Sequence, residues 1–257
     1  MEPILIKKSN DPRRIPEEEP ILIAHQPEFF PWLGYIAKAT MGDVYVFMDT
    51  VQYEKRNYQN RNRIRIYNPE GFQWINIPLK GIQDHYQAIN EVMIDGDQWK
   101  KKQLKSFQMC YAKAPFFKEI FGDLENIYSR PHVMLTDFSM DIIKYAFEMF
   151  NITIPFYRIS ELRQMGYQVD GNKSTLMINM CTAVGAKTLV FGRDGRNYVE
   201  WELFRAAKVK PVFQDFHHPE YKQIHGEFQP YMSFIDLLFN HGPESVNILG
   251  KCGYAAE

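Results

Sequence analysis

The sequence predicts an α/β fold: a parallel sheet that carries an inserted β-hairpin and a helical middle region. Near the N-terminus, the apolar runs ILIAH (21–25) and VYVFM (44–48) flank a helical stretch from Pro31 to about Met41. A strand, a helix and a strand in such a short span are typical of two parallel strands joined by a crossover helix. The last third of the chain alternates in the same way, which extends the sheet.

The remaining elements follow from turn and periodicity signals. Two alternating runs flank the turn sequence NPEG and predict a hairpin over 63–78. Apolar spacing predicts helices through 97–150, and IPFYRIS (154–160) reads as a strand. Ser174 is the expected N-cap of the next helix. From there the chain predicts a helix over 174–186, a strand over 187–192, a helix over 197–208, a strand over 210–216 and a helix over 234–240.

The chain of 257 residues is long enough to bury the core of one domain. Residues 1–19 form a charged, proline-containing arm that we expect to be disordered unless it docks elsewhere. Residues 20–250 are predicted to form a single α/β domain with a helical subdomain at about 97–150. Residues 251–257 form a C-terminal tail.

Composition excludes several classes of protein. Thirty basic and 31 acidic residues argue against a globally basic nucleic-acid binder. Three widely spaced cysteines indicate neither a disulfide framework nor a zinc ribbon, and the spacing of the histidines fits no metal site. Because no run resembles a signal peptide or a membrane span, we expect a cytoplasmic protein without membrane insertion, for which a homodimer remains open.

The first candidate site is the stretch HQPEFFPWLGYIAKA, which begins at His25 directly after a buried run. His25 and Gln26 stand where a strand ends, and Trp32 and Tyr35 offer flat faces for stacking. An unperturbed histidine suits proton removal near neutral pH, so His25 is a candidate general base. The alternative is a packed turn in which His25 bonds only to the backbone.

The second candidate is the segment 49–66, in which five basic residues between Tyr53 and Ile66 oppose Glu54 alone. Arginine binds phosphate or carboxylate through two parallel hydrogen bonds, and side-chain amides recognise hydroxyls. We expect Arg65, which alternates with isoleucines, to be merely exposed, and a solvated or interface face remains the alternative for the segment. The predicted ligand-binding residues are Gln52, Lys55, Arg56, Gln59, Asn60, Arg61 and Arg63, and Asp49 is a second candidate base.

A third candidate is FGRDGRNY (191–198), at a predicted strand-to-helix turn. Its glycines permit close backbone approach to a ligand, although a plain glycine-rich turn would look alike. Its predicted contact residues are Gly192, Asp194, Gly195 and Tyr198. In the stretch NKST (172–175), Lys173 and Ser174 are further anion candidates. Cys181 reads as a packing residue, and Asp236, between apolar neighbours, needs a partner such as His225 or an arginine.

Together these stretches resemble the WbqC-like protein family. The resemblance rests on HQPEFFPWLGYIAK (25–38), DVYVFMDTVQYEKRNYQNRNRIR (43–65), FGRDGRNY (191–198) and HGEFQPYMSFIDLLFNHGPES (225–245), in the family's order. Phe191 departs from the family's pattern, which has a serine there. Members of that family are encoded among genes for surface polysaccharide (O-antigen) and related nucleotide-sugar biosynthesis. The resemblance therefore implies a role in such a pathway, with aminoacyl transfer to an amino sugar as the suggested reaction.

A second likeness is to the Rossmann-like, nucleotidyltransferase-like fold, in which a histidine-containing loop after the first strand meets phosphates. His25 fits that place, and Lys173 and Ser174 fit the later phosphate-binding part. The second histidine of that signature is absent, since Leu33 and Gly34 occupy the region.

Three hypotheses follow. The leading one is a transferase that acylates a nucleotide-linked amino sugar, with a carrier protein or an aminoacyl-tRNA among the candidate donors. The second is an ATP-dependent ligase or nucleotidyltransferase, and the third is a non-catalytic protein that binds a sugar nucleotide or tRNA. The sequence establishes no cofactor: ATP with magnesium and an acyl donor are the alternatives left open.

Overall fold

A computed structural model describes residues 1–83, 85–171 and 173–252. Its centre is a sheet of five parallel strands in the order β7-β2-β1-β8-β9. The strands are β1 (Ile21–His25), β2 (Val44–Phe47), β7 (Phe156–Arg158), β8 (Thr188–Phe191) and β9 (Lys210–Phe213). The predicted α/β fold with a parallel sheet is therefore confirmed.

Alternate residues of the central strands build two separate cores, one on each face of the sheet. Ile23 and Tyr45 face one core, whereas Leu22 and Val44 face the other. Successive side chains of a strand point to opposite faces, so a strand covered on both sides must be apolar at every position. This explains why the predicted strands read as unbroken apolar runs.

Helices cover both faces of the sheet. The first core contains residues of α1 (Leu33–Ala39), α2 (Gln98–Tyr111), α3 (Phe117–Ser129), α4 (Leu135–Met149), α8 (Phe234–His241) and α9 (Ser245–Leu249). The second core contains residues of α5 (Ile159–Gln164), α6 (Lys173–Ala183) and α7 (Trp201–Ala207). Within the described residues, no helix is both long and apolar enough to cross a bilayer.

The predicted hairpin forms from β3 (Arg61–Arg65) and β4 (Phe72–Asn76), two residues earlier than expected. Its strands pair antiparallel, with Arg61 opposite Asn76 and Arg65 opposite Phe72. A second small pair, β5 (Leu79–Lys80) and β6 (Met93–Ile94), was not predicted because each strand has only two residues.

Several boundary predictions are wrong: the helix predicted over 197–208 begins at Trp201, and the strand predicted over 210–216 ends at Phe213. The predicted strand over 154–160 stops at Arg158, because the Glu161 carboxylate accepts a hydrogen bond from the Arg158 N–H at 2.9 Å and starts α5. Ser174 is not an N-cap, since α6 already begins at Lys173; its hydroxyl instead accepts a hydrogen bond from the Glu200 N–H. Asn172 and residues 253–257 of the predicted tail lie outside the described residues.

The N-terminal arm is docked, and Asp43 holds it. Asp43 is fully buried and accepts hydrogen bonds from the backbone N–H groups of Ser9 and Ile21. The Arg14 guanidinium donates to both of its carboxylate oxygens, at 2.6 and 2.8 Å. The arm is thereby tied to the start of β1, and Ile15 joins the first core.

We expect Asp43→Ala to destabilise the protein by about 3–5 kcal/mol, because it leaves the buried Arg14 guanidinium without its partner. Urea unfolding measures the loss, and limited proteolysis should cut the arm first. Glu17→Ala is the matched control, since Glu17 pairs with Lys210 at the surface and such pairs contribute about 0–1 kcal/mol. Equal stability losses in the two variants would contradict this account of the arm.

Candidate functional site

A cavity of about 480 Å³ opens at the carboxyl ends of β1 and β8. The chain leaves β1 toward β2 on one side and leaves β8 toward β9 on the other, so the order of connections reverses between them. Ligands of open parallel sheets bind in the crevice formed at such a point. The volume lies within the range of about 300–1,000 Å³ that is usual for small-molecule sites.

His25 lines this cavity. Its Nδ1 is 3.0 Å from the Gln26 carbonyl oxygen, which accepts only, so Nδ1 carries the proton and Nε2 is left as an acceptor. Burial, and secondarily the charge of Lys38, hold the pKa of His25 well below its ordinary value of 6.5. The imidazole is therefore neutral at physiological pH and able to accept a proton.

Lys38, which the sequence analysis did not select, also lines the cavity. It is only 4% exposed, and its Nζ donates to the Ala24 carbonyl oxygen at 3.1 Å. Side chains of a helix point toward its N-terminus, so a lysine in the last turn of α1 reaches back to the end of β1. Burial lowers the pKa of Lys38 to about 7, although the charge of Glu28 opposes this.

Glu28 is the second residue that the sequence analysis missed. Its Oε2 is shielded from solvent and has no hydrogen-bond partner among the described residues. Burial raises its pKa to about 8, against the opposing charge of Lys38. A carboxyl group that remains protonated at neutral pH is a feature of functional sites. The signal for both residues was a lone charge inside an otherwise apolar stretch.

Two tyrosines support the loop that follows β1. The Tyr45 hydroxyl donates to the Tyr35 hydroxyl at 2.5 Å, and Tyr35 donates to the Gln26 carbonyl oxygen at 3.3 Å. The rings of Tyr35 and His25 are in contact, with their centroids 4.4 Å apart. Tyr35 lines the cavity, but it is almost fully buried and its hydroxyl is engaged in this chain.

Three aromatic side chains form one wall of the cavity. The Trp32 ring packs edge-on against Phe216 at 5.0 Å and lies 5.7 Å from the ring of Tyr231. The missing Cβ of Gly34 makes room for the indole, because a Cβ at that position would lie 2.2 Å from a Trp32 ring atom. The Gln214 side chain fixes this turn by donating to the Gly34 carbonyl oxygen at 3.0 Å.

The opposite wall is the predicted glycine-containing loop after β8. Gly192, Asp194, Gly195 and Tyr198 all line the cavity, together with the exposed Arg193. A Cβ at Gly192 would meet open space, whereas one at Gly195 would lie 2.6 Å from the Phe191 Cβ. Gly195 therefore serves the packing of the turn, and Gly192 leaves space for a ligand.

The basic residues of the hairpin segment do not line this cavity. Arg61 stacks over Trp74, with its Cζ 4.4 Å from the ring centroid, and Arg63 lies over Phe72 at 4.9 Å. Lys55 and Arg56 are exposed on the preceding segment. Within the described residues, the predicted ligand-binding residues Lys55, Arg56, Arg61 and Arg63 are therefore not brought together with His25 at this cavity.

Arg65 and Asp236 belong to a buried network, so the expectation of an exposed Arg65 is wrong. Arg65 is 6% exposed, and its guanidinium donates to the side chain of Gln223 and to four carbonyl oxygens. Asp236 accepts hydrogen bonds from Tyr111, Tyr221 and Gln223, each at 2.8 Å. It therefore pairs directly with neither His225 nor an arginine.

The side-chain amides that were predicted to bind a ligand form hydrogen bonds within the protein. Gln59 donates to the Gln26 side chain at 2.7 Å, which ties the hairpin segment to the cavity loop. Asn60 and Gln52 donate to backbone carbonyl oxygens. Buried Asn62 donates to the carbonyl oxygens of Phe29 and Phe30, and it holds Phe30 at the unusual φ of 47°.

The other predicted residues lie away from the cavity lining. Asp49 is fully buried, and its carboxylate accepts hydrogen bonds from the backbone N–H and the hydroxyl of Ser160. Lys173 and Ser174 open α6, but Met177 is the residue of that helix that reaches the cavity. Cys181 is a buried packing residue, as predicted. Among the described residues, no group of three or more His, Cys, Asp or Glu side chains could hold a metal ion.

Comparison with known proteins identifies the family. The sequence profile of the WbqC-like protein family matches residues 26–248, which is most of the chain. This chain belongs to the WbqC-like protein family. A similar protein from Mycobacterium tuberculosis (strain ATCC 25618 / H37Rv), uncharacterized protein Rv1507c, is 30% identical over 229 residues, which cover 88% of this chain and 96% of the relative. No solved structure matches the chain significantly.

The match of this WbqC-like chain covers both walls of the cavity. It begins at Gln26, so Lys38, the aromatic wall and the loop after β8 all lie within it, while His25 immediately precedes it.

Gly34→Ala should lower the melting temperature and change the tryptophan fluorescence, because the new methyl group displaces the Trp32 ring from Phe216 and Tyr231. Gly122→Ala is the matched control: Gly122 also lies in a helix, and a Cβ there would meet nothing within 4 Å. That substitution should stabilise the protein by about 0.5–1 kcal/mol. If both variants behaved alike, the close packing of Trp32 on Gly34 would be refuted.

Glu28→Gln should make the free energy of unfolding less dependent on pH. The pKa of Glu28 is raised from 4.5 to about 8 in the folded protein, so its stabilising contribution is complete below about pH 4.5 and is lost as pH rises through about 8. Urea unfolding at about pH 5 and about pH 8 should therefore show a larger loss for the wild type than for the variant. Parallel losses would mean that Glu28 titrates normally.

Proposed function

We propose that this protein is a transferase that moves an aminoacyl or other acyl group onto the amino group of a nucleotide-linked sugar. The observation that supports it most directly is the acceptor Nε2 of neutral His25, which lines an open cavity. Membership of the WbqC-like family adds support, since the resemblance implies a place in O-antigen or related nucleotide-sugar biosynthesis.

The cavity suits such a substrate in size and lining. Its volume of about 480 Å³ lies in the small-molecule range. Trp32, Phe216 and Tyr231 offer aromatic faces on which a base or a sugar can pack. The open space at Gly192 leaves the other wall free for close approach of the ligand.

In the proposed reaction the sugar amine attacks the acyl carbonyl carbon, and a bond forms between nitrogen and that carbon. His25 Nε2 accepts a proton from the attacking nitrogen as the tetrahedral intermediate forms. The bond from the carbonyl carbon to the donor's oxygen or sulfur then breaks, and the proton passes from His25 to that leaving group. Asp49 is not part of this step, because Ser160 occupies its carboxylate.

We also propose that the sheet is Rossmann-like and akin to the nucleotidyltransferase-like fold. The reversal of strand connections between β1 and β8, with the cavity at that point, supports this kinship. The histidine at the end of the first strand supports it further.

The function is tested by incubating the protein with a nucleotide-linked amino sugar and each donor in turn: an amino acid with ATP and magnesium, an aminoacyl-tRNA, and a carrier-protein thioester. Mass spectrometry should find the acylated sugar nucleotide with one of them. A product that requires ATP and releases pyrophosphate would indicate the ligase alternative. Binding of the sugar nucleotide without any product would contradict catalysis and favour a binding protein.

His25→Ala should lower the turnover of that reaction by about 10²- to 10⁴-fold, which is the usual contribution of a general base. The dissociation constant of the sugar nucleotide should change little. His217→Ala serves as control, because that side chain is 73% exposed and does not line the cavity. Unchanged turnover in His25→Ala would remove His25 from the mechanism.

A further inference from the structure

Lys38 has hydrogen-bonding capacity that the protein does not use. A protonated lysine carries three N–H donors, and Nζ makes one hydrogen bond within the described residues, to the Ala24 carbonyl oxygen. Since Lys38 lines the cavity while being 4% exposed, the remaining donors are available only to whatever enters it.

Lys38 also lacks a direct counter-charge. Within the described part of the chain, no carboxylate oxygen forms an ion pair with its Nζ. Glu28 acts on it electrostatically without such contact, and the Glu28 Oε2 has no hydrogen-bond partner. A buried ammonium group is costly unless it is paired with a negative charge, so a negatively charged ligand would supply the missing counter-charge.

The other cationic side chains are poorer candidates for binding an anion in this cavity. Arg193 also lines the cavity, but it is exposed on the loop after β8 and is followed by Asp194. Arg61 and Arg63 place their guanidinium groups over aromatic rings of the hairpin, outside the lining. Among the described residues, Lys38 is the buried cationic side chain of the cavity.

We propose that Lys38 binds a phosphate-class anion in the cavity, with its ammonium group donating to the phosphate oxygens. This inference rests on the proposed function for its biological ligand, in which the anion is the diphosphate of the nucleotide-linked sugar. It assigns the diphosphate to α1 and the end of β1, whereas the sequence analysis placed the predicted anion-binding arginines in the segment 49–66.

Calorimetric titration with inorganic pyrophosphate tests the assignment. Lys38→Met keeps most of the buried stem and should weaken binding roughly 10- to 100-fold, as expected for charge-assisted hydrogen bonds. Arg61→Met tests the hairpin, and Lys101→Met, on the exposed face of α2, controls for net charge. Both should bind like the wild type. Equal affinity in Lys38→Met, a selective loss in Arg61→Met, or no binding by the wild type would each overturn the proposal.

A second measurement does not depend on how Lys38→Met folds. Glu28 and His25 are the titratable groups that interact electrostatically with Lys38, and Tyr35 and Tyr45 interact in turn with Glu28. Glu28→Gln removes the charge that raises the pKa of Lys38, so in that protein the pKa of Lys38 should fall below the value of about 7 that it has beside Glu28. Sulfate, which itself carries no titrating proton near neutral pH, should bind at about pH 8 with uptake of nearly one proton, because it requires the ammonium form of Lys38, and the uptake should decrease as the pH is lowered through the pKa of Lys38. Titration in buffers of different ionisation enthalpy measures this, and binding without uptake, or no binding, would refute the proposal.

The inference and the proposed function can fail separately. If Lys38→Met lost pyrophosphate binding while no donor yielded an acylated sugar in the wild type, the anion site would stand and the transferase would not. If Lys38→Met bound pyrophosphate as the wild type does while the wild type formed the acylated product, the transferase would stand and the role of Lys38 would be withdrawn.

Discussion

The parallel pairing of β1 with β2 on one side and with β8 on the other is the constraint on which the structure depends. Because all three strands run in the same direction, their carboxyl ends meet at one edge of the sheet. The connections that leave β1 and β8 diverge, and the cavity opens between them. Any shift of β1 by one residue would exchange its two apolar faces and move His25 away from this edge.

Burial, more than neighbouring charge, sets the protonation of His25 and Lys38, which line the cavity, and of Glu28, which interacts with Lys38. It keeps His25 neutral, raises the pKa of Glu28 to about 8 and lowers that of Lys38 to about 7. The pKa values of Glu28 and Lys38 are thereby brought near neutral pH, where proton transfer is efficient. His25 is kept in the neutral form, which accepts a proton. Arg61 and Arg63 of the hairpin are half-buried, and they stack on aromatic rings outside the cavity lining.

The polar residues of the hairpin segment have a structural role that explains their density. Asn62 and Gln59 hold the loop after β1 through its carbonyl oxygens and the side chain of Gln26. Phe30, with φ at 47°, is in a conformation that few non-glycine residues adopt, and such conformations persist only where the surroundings enforce them. The stretch from His25 to Ala39 thus contributes residues to the cavity lining, and hydrogen bonds from the hairpin segment hold its loop in place.

The sequence by itself determined the class of the fold, the order of its main elements and the family, and it selected the loops after β1 and β8 as separate candidate sites. These follow from local signals: apolar runs, turn residues and contiguous motifs. It did not determine that Lys38 reaches the cavity, that Arg65 is buried or that Asp49 is bound to Ser160. Only the tertiary structure decided these, because burial and hydrogen-bond partners come from residues distant along the chain. The sequence alone does not distinguish a charged side chain that is exposed to solvent from one that is buried.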